Sequence, residues 1–171
     1  MKKTMTYAMY LALIIGLVAL GACSDDDDDN NGGGTDPVVP DAWVGTWLSA
    51  GDDVAPILVA IFDYDSVRVT YNDDNTIVLE SHPAGGAWTA LNGVYTVTES
   101  QDSEIDAVAI NYTAFEQEGI VQVFPASPDS MFLEVVQTVP DIGAAPLTPE
   151  DGFGADPTLG TANIQIYRKV N

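Results

Sequence analysis

Residues 66–81 read SVRVTYNDDNTIVLES. Val67, Val69 and Tyr71 alternate with Arg68 and Thr70, and Ile77 and Leu79 alternate with Val78 and Glu80. A period of two sends successive side chains to opposite faces of an extended strand. Asn72-Asp73-Asp74-Asn75 lies between the two runs, and Asn and Asp tolerate the left-handed backbone of a tight turn. The stretch predicts a β-hairpin.

The same pattern recurs along the chain. GVYTVTES (93–100) is joined to DAVAINYTA (106–114) through Gln101-Asp102-Ser103-Glu104, and GIVQVFPA (119–126) to SMFLEVVQT (130–138) around Ser127-Pro128-Asp129. AWVGTWLS (42–49) opens the series and NIQIYRKV (163–170) closes it. PILVAIFDY (56–64) is an apolar run whose length and branching allow either a buried strand or a short helix. Neither an internal repeat nor a helical period sustained over three turns is present. Eight or nine short strands joined mostly by tight turns predict an all-β, antiparallel barrel or sandwich. No strand carries obvious edge-protecting lysines, Lys169 being the one lysine on any of them, which favours an up-and-down barrel of about eight strands, because closure removes exposed edges. An eight-stranded interior is either filled by side chains or holds one small ligand.

Two connections break the tight-turn rule: HPAGGAWTALN (82–92), and the Pro- and Gly-rich segment 139–163 before the last strand. Long loops are often functional, so 139–163 is expected to be either a lid or rim, or a proline-stiffened surface decoration. About 130 residues, 41–171, suit one domain with its own core.

Gly45-Thr46-Trp47 falls in the first predicted strand of this meander. The triplet resembles the Gly-x-Trp that opens the barrel and closes its base in lipocalin and lipocalin-like proteins. The resemblance implies that a late arginine stacks across the tryptophan, and Arg168 in the last strand matches. A guanidinium over an indole is worth about 0.5–2 kcal/mol. The Thr-Asp-Tyr signature of the true lipocalins is absent, so the likeness is to the looser lipocalin-like domains. An unrelated β-sandwich with a buried Trp is the alternative. Trp43, Trp47, Trp88, Tyr95, Tyr112, Phe124, Phe132 and Tyr167 fall on or near strands, and most are expected in the core. If the barrel is hollow, Trp88, Tyr95, Tyr112 and Phe132 are the candidates to line an apolar cup for a small ligand.

The chain opens Met1-Lys2-Lys3, stays uncharged from Thr4 to Ala22, and is almost wholly apolar from Leu11 to Leu20. A positive start, a short apolar stretch and small residues before a break describe a secretory signal peptide over 1–22. A membrane span needs about 20 apolar residues, and Thr4, Thr6, Tyr7 and Tyr10 dilute this one. Leu20-Gly21-Ala22-Cys23 resembles the lipobox of bacterial lipoproteins. That resemblance implies that Cys23, the chain's one cysteine, becomes the first residue, with diacylglycerol on sulfur and an acyl group such as palmitate on nitrogen. One acyl chain binds a membrane marginally and stable anchoring needs more; three would meet that need. No thiol is left for a disulfide, for catalysis or for a soft metal.

Residues 23–40 continue with five Asp, two Asn and three Gly before Thr35-Asp36-Pro37. Like charges repel and glycine is flexible, so an extended, disordered tether is expected. Ser24 followed by Asp25–Asp28 resembles the signal that sends certain Gram-negative lipoproteins to the outer face of the outer membrane. The implied location is therefore a lipid-anchored protein of the outer membrane, exposed at the cell surface.

Without residues 1–22 the chain keeps three basic residues, Arg68, Arg168 and Lys169, against 26 acids, a net charge of −23. Such a charge repels nucleic acid, which needs basic patches, and anionic headgroups too. It favours solubility and a monomer, and fits a salt-rich habitat, where screening is strong.

Little marks catalysis. His82, the one histidine, is read as a solvated turn residue before Pro83, and no Gly-x-Ser-x-Gly, His pair or phosphate loop is present. The acid pairs Asp52-Asp53, Asp63/Asp65, Asp73-Asp74 and Glu116/Glu118 follow from composition. Asp63-Tyr64-Asp65 lacks the third ligand and the Gly of a calcium loop. No enzyme, metal or cofactor is expected. Two functions remain: a lipid-anchored barrel that binds a small apolar or amphipathic molecule, and a non-enzymatic surface module with a filled core.

Overall fold

The computed structural model describes residues 42–125 and 129–170. Its strands are β1 (Gly45–Ala50), β2 (Tyr64–Tyr71), β3 (Thr76–Pro83), β4 (Thr89–Thr98), β5 (Asp106–Asn111), β6 (Glu116–Phe124), β7 (Ser130–Val139) and β8 (Gln165–Val170). Each pairs antiparallel with its neighbours in chain order, and β8 returns to β1 to close an up-and-down barrel. The predicted hairpins are all present. In the first, Val67, Val69 and Tyr71 of β2 are buried, and the residues between them are partly exposed. Asn75 takes φ +64° at its turn, and Asp74 Oδ1 accepts from the Thr76 backbone N–H.

PILVAIF, open between strand and helix in the sequence, is the helix α1 (Pro56–Phe62). Pro56 occupies the first turn, where its missing N–H leaves no bond unmade. Asp63 ends the helix in the left-handed conformation, with its N–H on Val59 O. HPAGGAWTALN differs from expectation. β3 runs through Pro83 and β4 starts at Thr89, so only residues 84–88 connect them. The Gly pair reads as loop, but Thr89, Ala90 and Leu91 pair with Ser81, Glu80 and Leu79 and extend the sheet.

Trp43, Trp47, Tyr71 and Tyr95 fill one end of the barrel, all buried. The Trp47 indole N–H donates to Trp43 O (3.0 Å), and the Tyr71 ring meets Trp43 and Tyr95 edge to face. Tyr95 OH donates to Asn72 O (3.0 Å). The cation over Trp47 is Lys169, whose Nζ lies 5.2 Å from the ring centre. Arg168 does not stack there. Lys169 pairs directly with Trp47, while Arg168 pairs with Leu48, one step along. One step in a strand changes the face. Arg168 therefore points outward, to Asp53 (3.2 Å). Gly45 has φ +129°, backbone that favours glycine, and a Cβ there would stand 3.1 Å from Lys169 Cε. The glycine of Gly-x-Trp leaves room for the lysine stem.

The connection from β7 to β8 reaches the open end of the barrel and also runs along its outer wall. Ile142, Ala144, Leu159 and Asn163 reach the open end of the barrel. Between them the chain lies on the outer wall: Phe153 packs edge-on to Phe132, and the Gly154 N–H donates to Glu134 Oε2 (2.7 Å). Gly119 of β6 faces the Glu134 carbonyl so closely that a Cβ would overlap it.

Candidate ligand-binding site

α1 and the ends of β2, β3, β6, β7 and β8 surround a cavity of about 480 Å³ in the barrel. It lies beyond the aromatic floor, with α1 at its mouth. The strand alternation places Val67, Val69 and Tyr71 of β2, Leu79 and Ser81 of β3, Leu133 and Val135 of β7, and Tyr167 of β8 on its wall. Leu58, Ile61 and Phe62 of α1 cover it together with Ala55 just before the helix, and Tyr112 and Phe115 enter from the β5–β6 connection. Ile61, Phe62 and Ile142 are more than half exposed at this end, an apolar rim.

Polar groups on the wall are sparse and neutral. Gln117 of β6, Gln137 of β7, Asn163 just ahead of β8 and Gln165 of β8 share one side. Gln165 Oε1 accepts from the Ala55 N–H (2.8 Å) and so ties β8 to the start of α1. Asn163 Nδ2 donates to Val135 O, and Gln137 Nε2 to Pro140 O, both 2.9 Å. Burial pushes the Tyr71, Tyr112 and Tyr167 phenols well above the usual tyrosine range, so they remain protonated.

Of the four aromatics expected at a cup, Tyr112 lines the cavity. The other three stand elsewhere. Tyr95 belongs to the floor. Phe132 alternates with the buried Met131 and Leu133, so it faces outward, against Phe124 and Phe153. Trp88 is 41% exposed beside the outer face, 4.8 Å from the Arg68 guanidinium and 5.1 Å from the His82 ring. Arg68 in turn donates to both Glu80 oxygens (2.6 and 2.7 Å). His82 is not a turn residue; it lies on β3 and donates from Nδ1 to Asp65 Oδ1 (2.7 Å). This holds the Asp65 carboxyl below its ordinary range.

The amides, α1 and Tyr71 line the cavity without having been expected there from the sequence. A signal was present: Tyr71 shares its face with Val67 and Val69, and Tyr167 shares one with Gln165. Among the described residues no group of three His, Cys, Asp or Glu could hold a metal ion, and no helix is long and apolar enough to cross a membrane. The signal peptide, Cys23 and the acidic tether lie outside the described residues. The chain matches no family model, no curated protein and no solved structure.

Proposed function

We propose that this protein is an exported, lipid-anchored envelope lipoprotein whose lipocalin-like barrel binds a small apolar or amphipathic ligand. The cavity carries the proposal. About 480 Å³ is within the range of small-molecule sites. Cavities in a sealed core cost about 24 cal/mol per Å³. The open mouth lowers that cost, yet a core shaped for stability alone would place larger side chains there. The rival function, a surface module with a filled interior, needs those side chains.

Mass spectrometry of protein purified from its native host, under non-denaturing conditions, tests the ligand. A retained small molecule is expected, together with saturable uptake of an apolar fluorescent dye that Leu58→Asp abolishes. An empty protein that takes up no dye would sink the proposal.

Leu20-Gly21-Ala22-Cys23 and the single cysteine support the anchor; the Ser24–Asp28 run supports export to the surface. Cys23→Ser should abolish labelling by radioactive palmitate. Protease added to intact cells should degrade the protein, and full protection would count against surface exposure. The domain acts as a monomer and by binding, with the membrane held through the acyl groups on Cys23.

A further inference from the structure

The cavity has two unlike sides. α1, β2 and β3 contribute mostly hydrocarbon, including Leu58, Phe62, Val69 and Leu79, with the Ser81 hydroxyl and the unpartnered Tyr71 phenol as polar exceptions, while the β6–β8 side adds the four amides Gln117, Gln137, Asn163 and Gln165 beside Leu133 and Val135. Gln117 and Gln137 are direct cross-strand partners. Gln165 is 95% buried, and its Nε2 has no partner among the described residues. Asn163 and Gln137 each spend a donor on a backbone carbonyl, and each keeps an amide oxygen that can accept. The wall thus offers donors and acceptors together.

Among the described residues no Asp, Glu, His, Lys or Arg lines the cavity. A charge taken out of water without a partner is heavily penalised, whatever its sign. An anion meets a second obstacle, the chain's formal charge of −21. The three cations of the barrel are already engaged: Arg68 with Glu80, Arg168 with Asp53, and Lys169 over Trp47. A cation would be drawn towards the acidic surface, but it finds no carboxylate inside.

We infer that the occupant is an uncharged amphiphile. Its hydroxyl, ester or amide edge lies along the Gln117–Gln137–Asn163–Gln165 side, and its hydrocarbon lies against α1 and β2. This rests on the ligand-binding function proposed above and names the ligand class.

The test compares three dodecyl-type probes that differ in head group: monolaurin, laurate and dodecyltrimethylammonium. Each is titrated into the full chain by calorimetry at neutral pH, below its micelle-forming concentration. Monolaurin should bind at least about tenfold tighter than either ion, a gap of about 1.4 kcal/mol. An ion that binds as tightly as monolaurin overturns the inference and leaves ligand binding standing. If none of the three binds and pyrene, a hydrocarbon without a head group, does not bind either, the ligand-binding function fails with it. Pyrene alone binding overturns only the claim about the polar edge. Gln117→Leu and, separately, Gln137→Leu should each weaken monolaurin several-fold while pyrene is held as before. Equal effects on both probes, or none on monolaurin, count against the amide wall.

Discussion

Trp47 is fully buried, donates its indole N–H to Trp43 O, and carries Lys169 over its ring. Removing the indole leaves a hole where the barrel closes, and Trp47→Ala should cost about 3–5 kcal/mol. The two neighbouring cations should then separate in a urea titration. Lys169→Ala loses the ring contact, about 0.5–2 kcal/mol. Arg168→Ala loses a largely exposed pair with Asp53, at most about 1 kcal/mol. A larger loss for Arg168 would overturn the assignment. Gly45 and Trp47 stand at the aromatic-filled end of the barrel, but the choice between Arg168 and Lys169 depends on cross-strand register. Register is a property of two strands 120 residues apart, and no local pattern records it. Phe132 shows the same limit. Its strand was legible; its face was decided by Met131 and Leu133 turning inward.

At the scale of elements, the hairpins were legible because alternation and turn chemistry are local. α1 was ambiguous because a seven-residue apolar run satisfies both periods, and Pro56 and Asp63 settle it at the ends. The amide side of the cavity was not legible, since Gln117, Gln137 and Gln165 come from three strands. The β7–β8 connection yields a pH prediction through Glu134, which it covers. Burial, opposed by the bond from Gly154 and reinforced by the charge of Asp156, raises this carboxyl above its ordinary range. The folded state therefore favours the protonated form, and stability falls as pH rises from the unfolded carboxyl value through the raised one. Glu134→Gln removes the ionisation. Its melting temperature relative to the parent should improve from about pH 4 to about pH 8. A difference that stays constant over that interval would remove Glu134 as the cause. On β6, Gly119→Ala should destabilise strongly, because the added methyl meets the Glu134 backbone and cannot rotate away.

The whole molecule carries far more acid than base, and its carboxylates repel one another wherever the barrel is folded. Salt should therefore stabilise it. Going from about 0.01 M to about 1 M shortens the screening length from roughly 30 to roughly 3 Å. A gain of about 1 kcal/mol would lift the melting temperature by roughly 2–8 °C for a domain of this size. A flat or falling melting temperature in NaCl would show that self-repulsion is negligible. Opposite in sign, the Arg68–Glu80 pair contributes above the ordinary carboxylate range, and its contribution is lost as pH falls through the depressed Glu80 value. Closure of the ring has a consequence in time. Seven of the eight strand pairings join neighbours in sequence, but β1 finds its second partner only in β8. Until Gln165–Val170 has been synthesised, β1 and β7 both present raw edges, and Ala55 lacks the acceptor that Gln165 supplies. Contacts of such sequence separation form late, because a long loop must close first. A chain that has not yet placed β8 is thus an open ribbon with two raw edges, and its last six described residues close that ribbon into a ring.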